Sequence, residues 1–539
     1  MKKIQKLISL LLVVVLDMGI AACSNSAGAP AASTESAVAT TKSTVGTEPV
    51  ASAEKTVTIA ISNPYDTLDP TNGGGGSNAL KFGIGETLTK FEDGELKAWL
   101  ADEWSQSDDG LTWTFQLHEG VTFHNGKAMD AQAVVDSLTN AVEKNSTAQD
   151  ILGNAVMTAD GNTLTITTEK VNNILPNEMM RREFVIIDAA AQENIETAPV
   201  CTGPFMCSDV VSKDHYNLVK NPNYWNTDVK VDFLNLVVID DGTAAELALR
   251  KGEVDAIINL AQTNTVNLEG SSDFVIESVD NYRMNVAYLN FENPILADKA
   301  VRLAINHCID RAGVVSAIMD GYGTEAISVF PATLPYGASN KELANLGFAY
   351  DVDQAKSILA DAGYVDADGD GFVEDKNGQK FTLELVTYSS RAEMPATAQA
   401  VQANLKEIGI NANMQIYDTG IMDVFKAGSF DIAFNSMTTQ QTGDPQYIVN
   451  ALFKSNGGNN FGHYANENVD ALVEQLIASN NATERAALAV DIQKFVQEDA
   501  GFAFIAYSQY NVVTNTRISG LHADPMDYYQ INADLDIAE

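Results

Sequence analysis

The chain is poor in the residues that hydrolytic and redox chemistry need. Its 539 residues include six histidines (His118, His124, His215, His307, His463 and His522) and four cysteines. No histidine sits in an HExxH pattern, no cysteines form a CxxC pair and no GxSxG occurs, so zinc hydrolases, thiol redox proteins and nucleophile-elbow hydrolases lack their signatures. The four glycines 73–76 are followed by Ser-Asn, not Lys-Ser/Thr, which leaves a phosphate loop unsupported. Positive charge is scarce as well. Lys plus Arg number 33 against 72 Asp plus Glu, a formal net charge of −39. Such a surface repels nucleic acid and anionic headgroups. Beyond the N-terminus no run of 18 apolar residues occurs, so no further segment reads as a membrane span.

What is present begins at the N-terminus. "MKKIQKLISLLLVVVL" places Lys2, Lys3 and Lys6 before an apolar run too short to span a bilayer, the plan of an export signal. The run ends in "IAAC", which resembles the bacterial lipobox, with cleavage before Cys23 and a lipid on its sulfur. Residues 24–54 are almost all Ala, Ser, Thr, Gly and Pro, and read as a flexible tether between that lipid and a globular body. Residues 55–539 are too many for one core and suffice for two or three.

An exported compartment permits a disulfide between Cys201 and Cys207. The "CTGPFMC" spacer, however, reads as a turn entering a strand, which holds the sulfurs apart. Cys308 falls on the apolar face of "KAVRLAINHCI" and reads as an inert core thiol.

The body mixes strands and helices without a strict βαβ beat, an α/β class. "KTVTIAIS" alternates as a strand, "LTWTFQLHEGVTF" reads as a hairpin turning at Glu119-Gly120, and "DAQAVVDSLTNAVEK" is a helix capped by Asp130. "NTLTITTE", "YNLVKN" and "VDFLNLVVI" are further strands, and "TAAELALRKG" a helix. From about residue 284 the pattern restarts with "MNVAYLNF", "DKAVRLAINHCI", "DQAKSILADAG", "KFTLELVTY", "PATAQAVQANLKEIG", "NANMQIY" and "FDIAFNSM".

The segment order from about residue 56 resembles the extracytoplasmic solute-binding proteins of the peptide, opine and nickel class that serve ABC importers. The resemblance is carried by "YDTLDP" (65–70), "GETLTKFEDGELKAWLADEW" (85–104), "DGLTWTFQLHEGVTFHNGKAMDAQAV" (109–134), "TGPF" (202–205), "NPNYW" (221–225), "LALRKGEVDAI" (247–257), "KAVRLAINHCIDR" (299–311), "AKSILADAGY" (355–364) and "GDPQYIVNALF" (443–453). It implies a two-lobed periplasmic-binding-protein-like fold of the large class II type. Lobe one would be 55–283 plus 510–539, with an inserted subdomain at about 80–200, and lobe two 284–509. The strands "YRMNVAYLN" and "AYSQYNVV" would cross between them as a hinge.

The resemblance also implies a monomeric receptor rather than an enzyme. It would be held at the cell surface through lipidated Cys23 and hand its ligand to ABC permease subunits with cytoplasmic ATPases. Carried over position by position, Arg182 in "EMMRREFVII" matches the arginine that holds the carboxylates of a metal chelate in nickel receptors, with Arg181 as its alternative. Tyr282 and Arg283, where the crossing segment begins, are further ligand-binding candidates. Gly73 and Asn78 stand where those receptors carry an aromatic residue and a methionine, and Thr439 where they carry a tryptophan. His463 matches a metal-touching histidine if a gap is allowed. Dipeptide receptors place an aspartate where this chain has Gln441, and a neutral amide pairs poorly with a buried ammonium. The ligand implied is a carboxylate-bearing nickel or other metal chelate, with an oligopeptide as the alternative and sensing for a membrane kinase as an alternative role. No cofactor is obligatory; Ni2+ would enter as part of the ligand.

One stretch points elsewhere. "VDADGDGFVEDKNG" spells the first half of a calcium loop, with Asp366, Asp368 and Asp370 at alternate positions before Gly371. A strand follows it, and Asn377 stands where the bidentate glutamate belongs, so it reads first as an acidic turn and second as a structural Ca2+ site.

Overall fold

Eleven strands form one sheet that runs through the protein. A computed structural model describes residues 54–391 and 393–538; Cys23, the export signal and the tether lie outside the described residues. The strand order is Ala412–Tyr417, Leu383–Tyr388, Ile432–Thr438, Phe274–Leu289, Phe502–Asn515, Ala256–Ile258, Thr56–Ile61, Phe233–Val238, His215–Lys220 and Phe205–Val211, with Gly323–Glu325 added beside Phe502–Asn515. The sheet passes from one half to the other through Phe274–Leu289 and Phe502–Asn515. These run antiparallel from Phe274 opposite Asn515 to Tyr288 opposite Phe502, with a break in register between Asp280 and Met284.

The apolar runs of these strands are continuous because both faces of the sheet are covered. Along one strand, Met284, Val286 and Tyr288 enter one core while Ala287 and Leu289 enter another. In the other half, Val57 and Ile59 face a core shared with Leu234 and Leu236, and Ala60 faces one built with Ala248 and Leu249. The helices follow the capping rules: Asp130 accepts from Ala133 N at 2.9 Å ahead of Ala131–Lys144, and Asp351 from Gln354 N at 2.8 Å ahead of Val352–Asp361. Among the described residues no helix is long and apolar enough to cross a membrane.

A separate four-stranded antiparallel sheet orders Ala101–Gln106, Thr112–Leu117, Thr163–Thr167 and Val156–Asp160. Here the expected hairpin is corrected. Thr112–Leu117 pairs with Ala101–Gln106 and with Thr163–Thr167, and residues 121–123 form no strand beyond an isolated bridge between Thr122 and Ala128. Alternation marks a half-buried strand but does not choose its partner. The apolar face of Phe115, Leu117, Leu164 and Ile166 is covered by Val134 and Leu138 of the helix. Cys201, Cys207 and Cys308 are all unbonded, as the extended spacer and the core position led one to expect.

Where this sheet meets the large one, Glu86 is fully buried. Its carboxylate accepts from Thr202 Oγ1 at 2.7 Å, Tyr224 Oη at 2.8 Å and Trp225 Nε1 at 2.9 Å. Burial nevertheless pushes its carboxyl up to about 7, against the lowering pull of those donors. Between about pH 4.5 and 7 the folded protein therefore keeps a proton that the unfolded chain has released, so this group's contribution falls as pH rises through that window. Urea unfolding at pH 5 and pH 8 is expected to show wild type losing about 3 kcal/mol relative to Glu86→Gln across the window. A constant difference between the two proteins would contradict it.

Candidate binding cavity

The register break builds the site. Between Asp280 and Met284 the long strand leaves its ladder, and Arg283 N donates instead to Asn281 Oδ1 at 2.8 Å. Breaks of this kind re-aim side chains. Asn281, Tyr282 and Arg283 thereby line a cavity of about 980 Å³, together with Tyr65, Arg181, Arg182, Arg391, Gln441 and the late segment 525–528. The volume lies at the upper end of the range that encloses a small organic ligand.

Five cationic side chains line the cavity. Four have carboxylate partners: Lys81 with Asp527, Arg181 with Glu178, Arg182 with Glu183 at 3.0 Å, and Arg391 with Glu393 at 3.7 Å. Arg182 is further tied to Ser77 Oγ at 3.0 Å and Tyr65 Oη at 3.3 Å, with its guanidinium over the Tyr65 ring. Burial opposes its charge, but the Tyr528, Glu183 and Tyr65 oxygens outweigh burial and the net shift is upward. Arg283 is different. It donates to Thr438 Oγ1 at 3.1 Å and Ser436 O at 3.4 Å, and it has no carboxylate partner among the described residues. Burial, and secondarily the Arg391 charge, pull its pKa down. A half-buried guanidinium with two neutral acceptors is poised to take a ligand carboxylate in its planar fork.

Of the expected residues, Arg181, Arg182, Tyr282, Arg283 and Gln441 meet at this cavity. Both members of the Arg181/Arg182 pair reach it, although Arg181 is mostly engaged by Glu178 and by Gln441 Oε1 at 3.2 Å. Asn78 does not line it. Its side-chain amide is spent on Tyr65 O and Thr67 O, both at 2.9 Å, which shapes the loop that presents Tyr65. Thr439 is buried behind the wall and donates through both its N–H and its hydroxyl to Tyr282 O. Gly73 lies in a separate recess with Asn72 and Lys213. His463 is an exposed turn residue with a φ of 58°, 3.9 Å from Glu292, away from the cavity lining. Sequence reasoning missed Arg391, Lys81 and the segment 525–528. Arg391 carried a signal, because it follows the carboxyl end of the parallel strand Leu383–Tyr388, where open α/β sheets place ligand-binding loops.

The aspartate loop does not support calcium. Asp366 accepts from Gly369 N at 2.7 Å and Gly371 N at 2.9 Å, and Asp370 from Phe372 N at 2.9 Å. Lys380 Nζ lies 2.6 Å from Asp368 and also pairs with Asp370, so an internal ammonium supplies the positive charge. Gly369 and Gly371 take positive φ at the turn, the conformation the sequence called for.

The family described as "Bacterial extracellular solute-binding proteins, family 5 Middle" matches residues 95–460. The nickel-binding protein NikA of Staphylococcus aureus is 27% identical over 479 residues, 89% of this chain and 91% of that protein. The crystal structure of a nickel ABC transporter protein from Bacillus halodurans superposes with a TM-score of 0.80 at 28% identity, over 90% of this chain and 100% of the other. Staphylococcus aureus NikA crystallised with Ni(L-His)2 gives a TM-score of 0.71 at 27% identity, with the same coverage of both chains. The architecture is accordingly the two-lobed α/β fold of these binding proteins.

Two expectations follow from the ion pairing. Glu178→Ala leaves the buried Arg181 guanidinium uncompensated and is expected to cost about 3 kcal/mol in chemical denaturation, whereas Arg283→Ala leaves stability within about 1 kcal/mol. Thermal melts in excess EDTA and in millimolar Ca2+ are expected to superimpose, because a bound ion would raise the midpoint.

Proposed function

Since the chain belongs to the family 5 bacterial extracellular solute-binding proteins, we propose that it captures a carboxylate-bearing metal chelate of the nickel–histidine kind and delivers it to an ABC permease. The observation that carries this reading is the Arg283 guanidinium, without a carboxylate partner among the described residues and opening on the 980 Å³ cavity. Arg391, whose contact to Glu393 is a loose 3.7 Å, stands ready as a second carboxylate clamp, so a chelate presenting two carboxylates matches the two forks. Resemblance to a protein crystallised with Ni(L-His)2 points the same way. The peptide alternative is less well supported, because the Gln441 amide is already held by Arg181 and offers no negative charge to an ammonium group.

In this reading lobe one comprises 55–283 plus 510–539, with an inserted subdomain at about 80–200, and lobe two 284–509. They hinge on the paired long strands, and a ligand touching Arg182 of one lobe and Arg391 of the other stabilises the closed state. A lipid on Cys23 and the 24–54 tether hold the receptor at the outer face of the membrane beside its permease.

The test is calorimetric titration of the purified full chain in mild detergent with Ni(II)–L-histidine and with tri- and tetrapeptides. Arg283→Ala is expected to weaken chelate binding roughly 10- to 100-fold, the worth of a charge-assisted pair. Peptides binding more tightly than the chelate, with the substitution silent, would sink the proposal.

A further inference from the structure

The late segment 525–528 belongs to the cavity wall, yet no sequence signal pointed to it. It is held from within by one carboxylate that does not line the cavity. Asp524 accepts from Tyr528 N at 2.9 Å and Tyr529 N at 3.1 Å through Oδ2, and from Met526 N at 3.3 Å through Oδ1. Three amides of a short loop thus converge on one side chain. Within that loop Asp527 takes a φ of 62°, a left-handed conformation that a non-glycine residue keeps only where its surroundings impose it.

The loop holds two members of the cation array. Asp527 pairs with Lys81 and accepts from Gln530 Nε2 at 3.0 Å. The Pro525 carbonyl accepts from Tyr282 N at 3.3 Å, and Tyr282 O accepts from Thr439 N at 2.7 Å, which fixes the backbone next to Arg283. Two of the five cavity cations, Lys81 and Arg283, therefore rest on a loop that one carboxylate organises.

We propose that Asp524 is the positioning residue of this ligand cavity, holding the wall on which Lys81 and Arg283 depend, and that proton uptake at its carboxyl tightens that wall. The inference rests on the cavity being the ligand site.

The groups that face Asp524 are Asp527 and Tyr529 of its own loop, Tyr282 of Phe274–Leu289 and Tyr510 of Phe502–Asn515; it has no cation partner among the described residues. Burial pushes the carboxyl up to about 6, the three amides pull it down, and the Asp527 charge adds to the rise. When the loop opens to water the carboxyl returns to its usual value near 3.8. The closed loop therefore binds the proton more tightly than the open one, and closure gains stability as pH falls from about 7 to 5. At neutral pH the ionised carboxylate keeps this wall the yielding side of the cavity.

Amide exchange of the full chain, corrected for intrinsic rates, reads this directly. Protection of the Tyr528 and Tyr529 amides is expected to rise about tenfold from pH 7 to pH 5 in wild type. Asp524→Asn, which keeps an acceptor oxygen without a charge, is expected to show no such pH dependence and so serves even if Asp524→Ala fails to fold. Asp524→Ala is expected to lose the protection and to bind Ni(II)–L-histidine at least tenfold more weakly at pH 7. Wild-type protection that does not change with pH, or an Asp524→Ala protein with unaltered protection and affinity, would overturn the proposal. If the exchange pattern holds but wild type binds no Ni(II)–L-histidine, the loop's role stands and the chelate reading falls.

Discussion

The pairing of Phe274–Leu289 with Phe502–Asn515 is the constraint on which the molecule depends. The sheet passes between its halves through these two strands, so cores on both sides are registered to one another by a single antiparallel ladder. From Met284 to Leu289 the alternation of the pleat sends residues into opposite cores. Where the ladder breaks, between Asp280 and Met284, the backbone surrenders regular hydrogen bonds and the side chains of 281–283 turn into open space. The feature that joins the halves is thus the one that places Arg283 at the cavity. In the proposed reading, hinge and ligand contact fall in adjacent residues, an economical arrangement for a receptor whose ligand must favour one conformation over another.

Electrostatics divides the molecule sharply. The chain carries a formal charge of −39, yet five Lys and Arg side chains converge on one cavity. Four are compensated by carboxylates of the chain itself and serve as much to frame the wall as to bind. Among the described residues Arg283 is the cavity cation met by neutral oxygens, and its neighbour Arg391 adds a repulsion that a bound carboxylate would relieve. The lining also carries Glu183, Asp240, Glu393 and Asp527, so the cavity is close to balanced while the acidic exterior disfavours random anion adsorption elsewhere on the surface.

Much of the fold was legible in the sequence because burial writes its own period. The strands at 56–61, 284–289 and 432–438 and the Asp-capped helices follow from alternation and from side-chain caps. Pairing was not legible: residues 111–123 alternate and contain a turn glycine, yet the strand chooses Thr163–Thr167, since partner choice depends on which apolar face needs covering. The site was half legible. Arg181 and Arg182 stood out as adjacent cations in an apolar stretch, and both reach the cavity. Arg283 was also among the candidates, but what sets it above the other cations, the lack of a carboxylate partner among the described residues, is visible only in three dimensions. Asn78 and Thr439, expected at the ligand, are consumed by backbone carbonyls at Tyr65 and Tyr282. The aspartate loop carried the most conspicuous motif of the chain and is a helix-to-strand turn whose Asp368 and Asp370 share the Lys380 ammonium.

The central claim is that the cavity receives a chelate carboxylate at Arg283. A crystal structure of the chain grown with Ni(II)–L-histidine, with anomalous diffraction recorded at the nickel edge, addresses it without mutation. A nickel peak inside the cavity is expected, with a histidine carboxylate within hydrogen-bond distance of the Arg283 guanidinium. A nickel peak elsewhere, or a cavity chelate whose carboxylates leave Arg283 untouched, would contradict it.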